Sequence, residues 1–111
     1  YPKCSTCRKA KAELNQLGLD FEAVDIVKET PSQEQLLQWM THSDLEIKSF
    51  FNTSGIKYRE LGLKDKLPQF SAEEAAALLA TDGMLIKRPL LVQDDRIVQV
   101  GYRTEYKELK L

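Results

Sequence analysis

The chain predicts an α/β fold: a mixed sheet flanked by helices, with a βαβ unit joined to a ββα unit around an inserted helical subdomain. Three observations predict it. An amphipathic helical pattern near the N-terminus leads into an alternating apolar stretch, helix-capping signals recur through the middle, and two β-rich runs flank a polar turn near the end. With 111 residues, 42% of them hydrophobic, the chain can bury one core, and neither a repeat nor a low-complexity linker divides it. The expected organisation is a single domain over 1–111 with the helical insert at about 32–82.

In the first helix Cys7, Ala10, Leu14 and Leu17 recur at helical spacing, Lys9, Lys11, Glu13 and Gln16 fall elsewhere on the turn, and Gly18 stops it. The segment from Leu19 to Val27 mixes alternation with a short apolar run and reads as a strand. Thr30-Pro31 opens a second helix, with Thr30 as N-cap and Gln33 completing a capping box. Its apolar face is Leu36, Leu37, Trp39 and Met40.

Residues 44–82 read as several short helices. Ile47, Phe50 and Phe51 form one apolar face and Tyr58, Leu61 and Leu63 another, with Asn52-Thr53-Ser54-Gly55 between them. Ser71-Ala72-Glu73-Glu74 is a second capping box, opening a helix with Ala75, Leu78 and Leu79 inward and Asp82-Gly83 at its end. Leu90–Val92 and Ile97–Val100 around Gln93-Asp94-Asp95-Arg96 form a β-hairpin pattern. A last helix runs from about Thr104 through Leu109.

Charge narrows the function class. Sixteen basic and 17 acidic residues in mixed order give a net charge of −1, with no basic footprint for direct nucleic-acid binding. No run of about 18 apolar residues suits a membrane span, so the cytosol is the default compartment. A redox helix ordinarily follows a buried strand, and three residues are too few to make one; a short apolar strand is therefore expected ahead of Tyr1.

The chemistry concentrates in Cys4-Ser5-Thr6-Cys7-Arg8, which holds both cysteines. Cys4 falls at the helix mouth and Cys7 about one turn inside. A thiol is nucleophilic as its thiolate, and a helix N-terminus offers unpaired N–H groups and a positive dipole end. Cys4, with Lys3 and Arg8 near it, is expected to have a depressed pKa and to attack. Cys7 is expected to be more buried and to resolve a mixed disulfide, since residues i and i+3 stand about 5–6 Å apart, within disulfide range.

Other readings of the pair carry less. A four-residue loop removes little chain entropy and the cytosol is reducing, against a structural disulfide. Zinc would need further ligands, and only His42 remains, so no metal is expected. Two merely buried cysteines stay open as the bland alternative. A helix mouth also holds tetrahedral oxyanions, but Ala10 stands six residues after Cys4, so the Cys-x5-Arg phosphatase loop is absent. Arg88-Pro89 precedes the hairpin; from the residues alone, Arg88 is a surface arginine at a strand start and the bond to Pro89 can be cis. His42 reads as solvated, Trp39 and Phe50–Phe51 as core, and Lys64-Asp65-Lys66 as a charged turn.

Cys4-Ser5-Thr6-Cys7-Arg8-Lys9-Ala10, Tyr58-Arg59-Glu60-Leu61-Gly62-Leu63, Arg88-Pro89-Leu90-Leu91-Val92 and Val100-Gly101-Tyr102 together resemble the arsenate reductase/Spx family over essentially the whole chain. The resemblance implies a thioredoxin-like fold with an inserted helical subdomain, a first strand ahead of Tyr1, and a cis Arg88–Pro89 bond facing the cysteines. It implies a thiol-dependent oxidoreductase, glutathione- and glutaredoxin- or thioredoxin-coupled, with no bound cofactor and glutathione as co-substrate. Cys4 matches the attacking cysteine and Arg88 an oxyanion-gripping arginine. Ser5, Thr6, Arg8, Asn52 and Pro89 are the implied substrate-binding residues. Two further arginines of that pattern do not match: Asn52 and Gly101 stand at those positions. The resemblance also implies a second reading, because Cys7 matches the C-x-x-C switch of Spx regulators, which bind the C-terminal domain of the RNA polymerase α subunit without catalysis.

Overall fold

The computed structural model describes residues 1–111. Helix α1 spans Ser5–Gln16, with Cys4 as N-cap and Gly18 at φ +69° just past its end. Helix α2 spans Gln33–Thr41, and the short helices α3 (Ile56–Glu60) and α4 (Leu63–Lys66) lead to α5 (Ala72–Leu79). Strands β1 (Leu90–Gln93) and β2 (Arg96–Val100) form an antiparallel hairpin. Single 3₁₀ turns at Ile47–Phe50, Leu67–Gln69, Gly83–Leu85 and Tyr106–Glu108 complete the chain.

Several expectations change. The segment 19–27 forms no strand: residues 20–24 make no backbone hydrogen bond, because no neighbouring strand lies alongside them. Instead this stretch and the β1 edge facing it wall a groove of about 840 Å³, with Tyr1 and Pro2 at its margin. The N-cap of α2 is Ser32, whose hydroxyl accepts from Gln35 N at 3.1 Å; Thr30 turns back and donates to Ile26 O at 2.9 Å. The C-terminal helix is only the turn Tyr106–Glu108, and Lys64-Asp65-Lys66 lies within α4. Leu17 and Leu61, read as apolar-face residues, are exposed.

Other signals hold. Ser71 and Glu74 make both bonds of the capping box. The hairpin turns through Asp94 and Asp95 at φ 53° and 62°, the left-handed pair of a type I′ turn, which short polar side chains tolerate. Val98 is an extra residue in β2 opposite the Leu91–Val92 step, a bulge.

The main core lies among the helices and the start of the hairpin. Leu36 and Met40 of α2 bury with Ala75, Ala76 and Leu79 of α5, joined by Phe50, Phe51, Leu85, Ile86 and Val100. Two backbone links fasten this core to the hairpin approach: Asn52 N donates to Leu85 O and Lys87 N to Phe50 O, both at 2.8 Å. Gly83 is required where it stands, since a Cβ there would lie 2.2 Å from Ile26 O. A second, smaller cluster of Ala10, Leu14 and Tyr106 binds α1 to the C-terminal segment. No helix is long and apolar enough to cross a membrane.

Candidate active site

The site begins at the mouth of α1. Cys4 has extended backbone at φ −90°, ψ 120°, and its sulfur accepts from Cys7 N at 3.3 Å, so a thiol does the work of a capping oxygen. Ser5 N and Thr6 N, in the first turn, have no backbone acceptor and face the same end. Ser5 is exposed and Thr6 half-buried; Arg8 is exposed on the next turn. Both cysteines are free thiols and half-buried.

Their electrostatics diverge. Burial pushes the Cys4 thiol up, but the Cys7 thiol and N–H, and then the Arg88 guanidinium beside it with its positive charge, bring it below the usual thiol range. Burial pushes Cys7 up, and its hydrogen bond to Cys4, which stabilises its protonated form, pushes it further. The two thiols, a helical turn apart, are thus shifted in opposite directions, the sense expected of attacking and resolving thiols.

Arg88 is placed by the loop between the Gly83–Leu85 turn and β1. The Arg88–Pro89 bond is cis. Nη1 donates to Met84 O at 3.3 Å and Ile86 O at 3.4 Å, and the Tyr1 ring stacks 5.4 Å from Cζ. Nη2 has no protein acceptor, leaving one face of the fork for an anion, while Nε is buried without a partner. Arg88 is thus a pinned cation beside Cys4 rather than a free surface side chain. Pro89 lines the groove together with Cys7, Arg8 and Arg88.

Asn52 and Gly101 flank this segment through the backbone: Asn52 N bonds Leu85 O, and Gly101 N bonds Pro89 O at 2.8 Å. The Asn52 amide lies over its own turn against Gly55, away from the groove lining. Gly101, at φ +74°, faces the Lys87 side chain. Both positions are brought to the Arg88 loop, and neither delivers a charge there.

Two features escaped the sequence reading. Tyr1 supports Arg88, and Glu13 is the buried charged residue of the chain, accepting from Tyr102 Oη, Tyr106 N and Lys107 N. The available signal for Glu13 was its place three residues after Ala10, at the border of the apolar stripe. His42, as expected, is exposed at the C-cap of α2.

The chain has relatives among known proteins. The chain is 49% identical over 105 residues to Uncharacterized protein YusI of Bacillus subtilis, covering 95% of this chain and 88% of that protein. It is 27% identical over 104 residues to Global transcriptional regulator Spx of Lactiplantibacillus plantarum, covering 94% and 76%. A crystal structure described as a possible arsenate reductase from Streptococcus mutans UA159 superposes with TM-score 0.95 at 62% identity, covering 98% of this chain and 92% of that one. The arsenate reductase from Vibrio cholerae gives TM-score 0.81 at 27% identity, covering 96% and 88%. These neighbours share the thioredoxin-like α/β fold. With the family profile matching residues 1–108, the chain belongs to the ArsC family.

Proposed function

We propose that the protein is a thiol-dependent oxidoreductase resembling glutaredoxin-coupled arsenate reductases, with the Cys4 thiolate as nucleophile. One observation carries this reading: the Cys4 sulfur caps α1, accepting from Cys7 N at 3.3 Å, with the Arg88 cation beside it and its thiol held below the usual range. Arg88 orients an anionic group of the substrate, an oxyanion or a glutathione carboxylate, through its free Nη2. Ser5 and Thr6 offer their backbone N–H groups to the same anion, and Arg8 and Pro89 border it. Glutathione is the co-substrate, with glutaredoxin or thioredoxin as reductant partner, and the cytosol is the compartment in which this cycle runs.

The substrate preference follows from charge. Asn52 and Gly101 stand where two more cations would grip a dianion, and each missing charge-assisted bond forgoes about 1.5–3 kcal/mol. A disulfide carrying one carboxylate to be matched suits a single guanidinium better than arsenate does. The test is NADPH consumption with glutathione, glutathione reductase and glutaredoxin, using glutathione mixed disulfides and arsenate as alternative substrates. Turnover that disappears in Cys4→Ser supports the enzyme, with the disulfide substrate favoured over arsenate. No turnover on either substrate would refute it.

A second reading is favoured by Cys7 itself and by the likeness to Spx: a redox-sensing regulator that binds the C-terminal domain of the RNA polymerase α subunit, with the same pair as its switch. Binding of that domain which changes on oxidation of the pair, without turnover, would establish it.

A further inference from the structure

We infer that Tyr1 is the positioning residue of the Cys4–Arg88 pair: its carbonyl holds the Cys4 backbone, its ring holds the Arg88 guanidinium, and the two holds together set the cation against the sulfur. This role deepens the proposed function and rests on its assignment of Cys4 as nucleophile and Arg88 as the group that orients an anion.

The first hold is a local turn. Tyr1-Pro2-Lys3-Cys4 closes on itself, with Cys4 N donating to Tyr1 O at 3.0 Å. Pro2 occupies the second position of that turn, where its fixed φ favours the bend. Tyr1 and Cys4 therefore keep one spacing as the chain enters α1.

The second hold is the ring. Arg88 Cζ lies over the Tyr1 ring, 5.4 Å from its centroid, within the range at which a cation is attracted to an aromatic face. The guanidinium has two other tethers, to Met84 O at 3.3 Å and Ile86 O at 3.4 Å. Both are long for N–H···O bonds and both leave from Nη1, so they hold one corner of the fork and constrain its tilt weakly. The ring face opposes that tilt. With one corner tethered and the tilt opposed, the uncommitted Nη2 is aimed in a fixed direction.

Cys4 and Arg88 thus share one anchor, although 84 positions separate them in the chain. A cation held beside a sulfur favours its thiolate and draws anionic reactants to it. Burial raises the Cys4 thiol, while the Cys7 groups and then Arg88 lower it; the last of these is the influence that Tyr1 governs. Tyr1 acts through Arg88 and touches neither reactant.

Alkylation of Cys4 in the reduced full chain by iodoacetate and by iodoacetamide, resolved by peptide mass, tests this without turnover. The two reagents deliver the same carbon to the same sulfur and differ in carrying a carboxylate or an amide, so their rate ratio reads the cation. Arg88→Ala gives the ratio with the cation removed. Tyr1→Leu keeps the backbone bond of the turn and loses the aromatic face. Its iodoacetate-to-iodoacetamide ratio is expected to fall about two- to fivefold toward the Arg88→Ala value, with the iodoacetamide profile moving to higher pH. Tyr1→Phe keeps the face and should match wild type in both readouts. A general loosening of the fold changes both rates alike and leaves the ratio in place, whatever happens to the thermal midpoint. If Tyr1→Leu matches wild type while Arg88→Ala moves both readouts, the inference is overturned and the proposed function stands. If Arg88→Ala also matches wild type, the inference fails together with the part given to Arg88 in the proposed function. A ratio that falls in Tyr1→Leu without any disulfide turnover by the wild type would refute the proposed enzyme and leave Tyr1 the positioning residue.

Discussion

The two halves of this molecule are built on opposite rules. In the helical core, Leu36, Phe50, Phe51, Leu79, Leu85 and Ile86 are 0–2% exposed and entirely apolar. At the cysteine corner nothing reactive is fully buried: Cys4 and Cys7 are half-buried, Nη2 of Arg88 is uncommitted, and the first-turn N–H groups have no backbone acceptor. Free energy of folding comes from the first region; the second leaves polar groups unsatisfied, and the proposed chemistry draws on those. The regions touch through few groups, chiefly the backbone bonds of 50–52 with 85–87. Stability and thiol reactivity should therefore be separable by mutation.

The largest expected break of that contrast is Phe50→Ala. Removing a fully buried phenyl ring should cost about 3–5 kcal/mol by urea unfolding. In the fraction that remains folded, the pH profile of Cys4 alkylation should not move. A displaced profile would show that the core positions Arg88 by more than its backbone links.

Next comes Gly83→Ala. Its Cβ meets main chain at Ile26 rather than a yielding side chain, so overpacking of about 1–3 kcal/mol or more is expected. Near-neutral stability would mean that the 26–27 backbone adjusts freely, and that the groove wall is softer than the core behind it.

Arg88→Ala sharpens the contrast from the other side. The guanidinium beside Cys4 favours its thiolate, so removing it raises the Cys4 pKa and moves the alkylation profile to higher pH. The sign is fixed: reactivity at neutral pH falls, because a smaller fraction is thiolate. Arg88→Lys should recover part of the shift, keeping the charge while losing the fork. If Arg88→Ala leaves the profile in place, the helix mouth alone activates Cys4.

Much of this was legible from spacing. The C-x-x-C pair, the stripe through Cys7, Ala10 and Leu14, the Ser71–Glu74 box and the polar hairpin turn are local signals, and local signals survive folding. Those that failed depended on partners. The stretch 19–27 has strand-like composition, yet a strand exists only when another lies beside it. Thr30 and Ser32 compete for one cap, and the choice turns on whether Thr30 finds Ile26 O. Glu13 looked solvent-facing because helical periodicity says nothing of a tyrosine 89 residues away. Arg88 read as a surface residue until the Met84 and Ile86 carbonyls pinned it beside Cys4.

The smallest expected effect is also the cleanest control. Ser71 heads α5 with both bonds of its capping box: its hydroxyl accepts from Glu74 N at 3.1 Å, and Glu74 Oε1 accepts from Ser71 N at 3.0 Å. Ser32 heads α2 with the single bond from Gln35 N. Ser71→Ala removes one bond directly and unfastens the reciprocal one, so a loss of about 1 kcal/mol is expected. Ser32→Ala should lose no more than that. Both caps belong to the helices that build the core, and neither serine itself lines the groove, which α2 reaches only through Trp39 and the preceding Pro31. The two variants should therefore lower the urea midpoint while leaving Cys4 and Cys7 alkylation rates equal to wild type. A rate change in either would mean that α2 and α5 move with the cysteine corner as one body, and the division between a stabilising core and a reactive edge would give way to a single coupled unit.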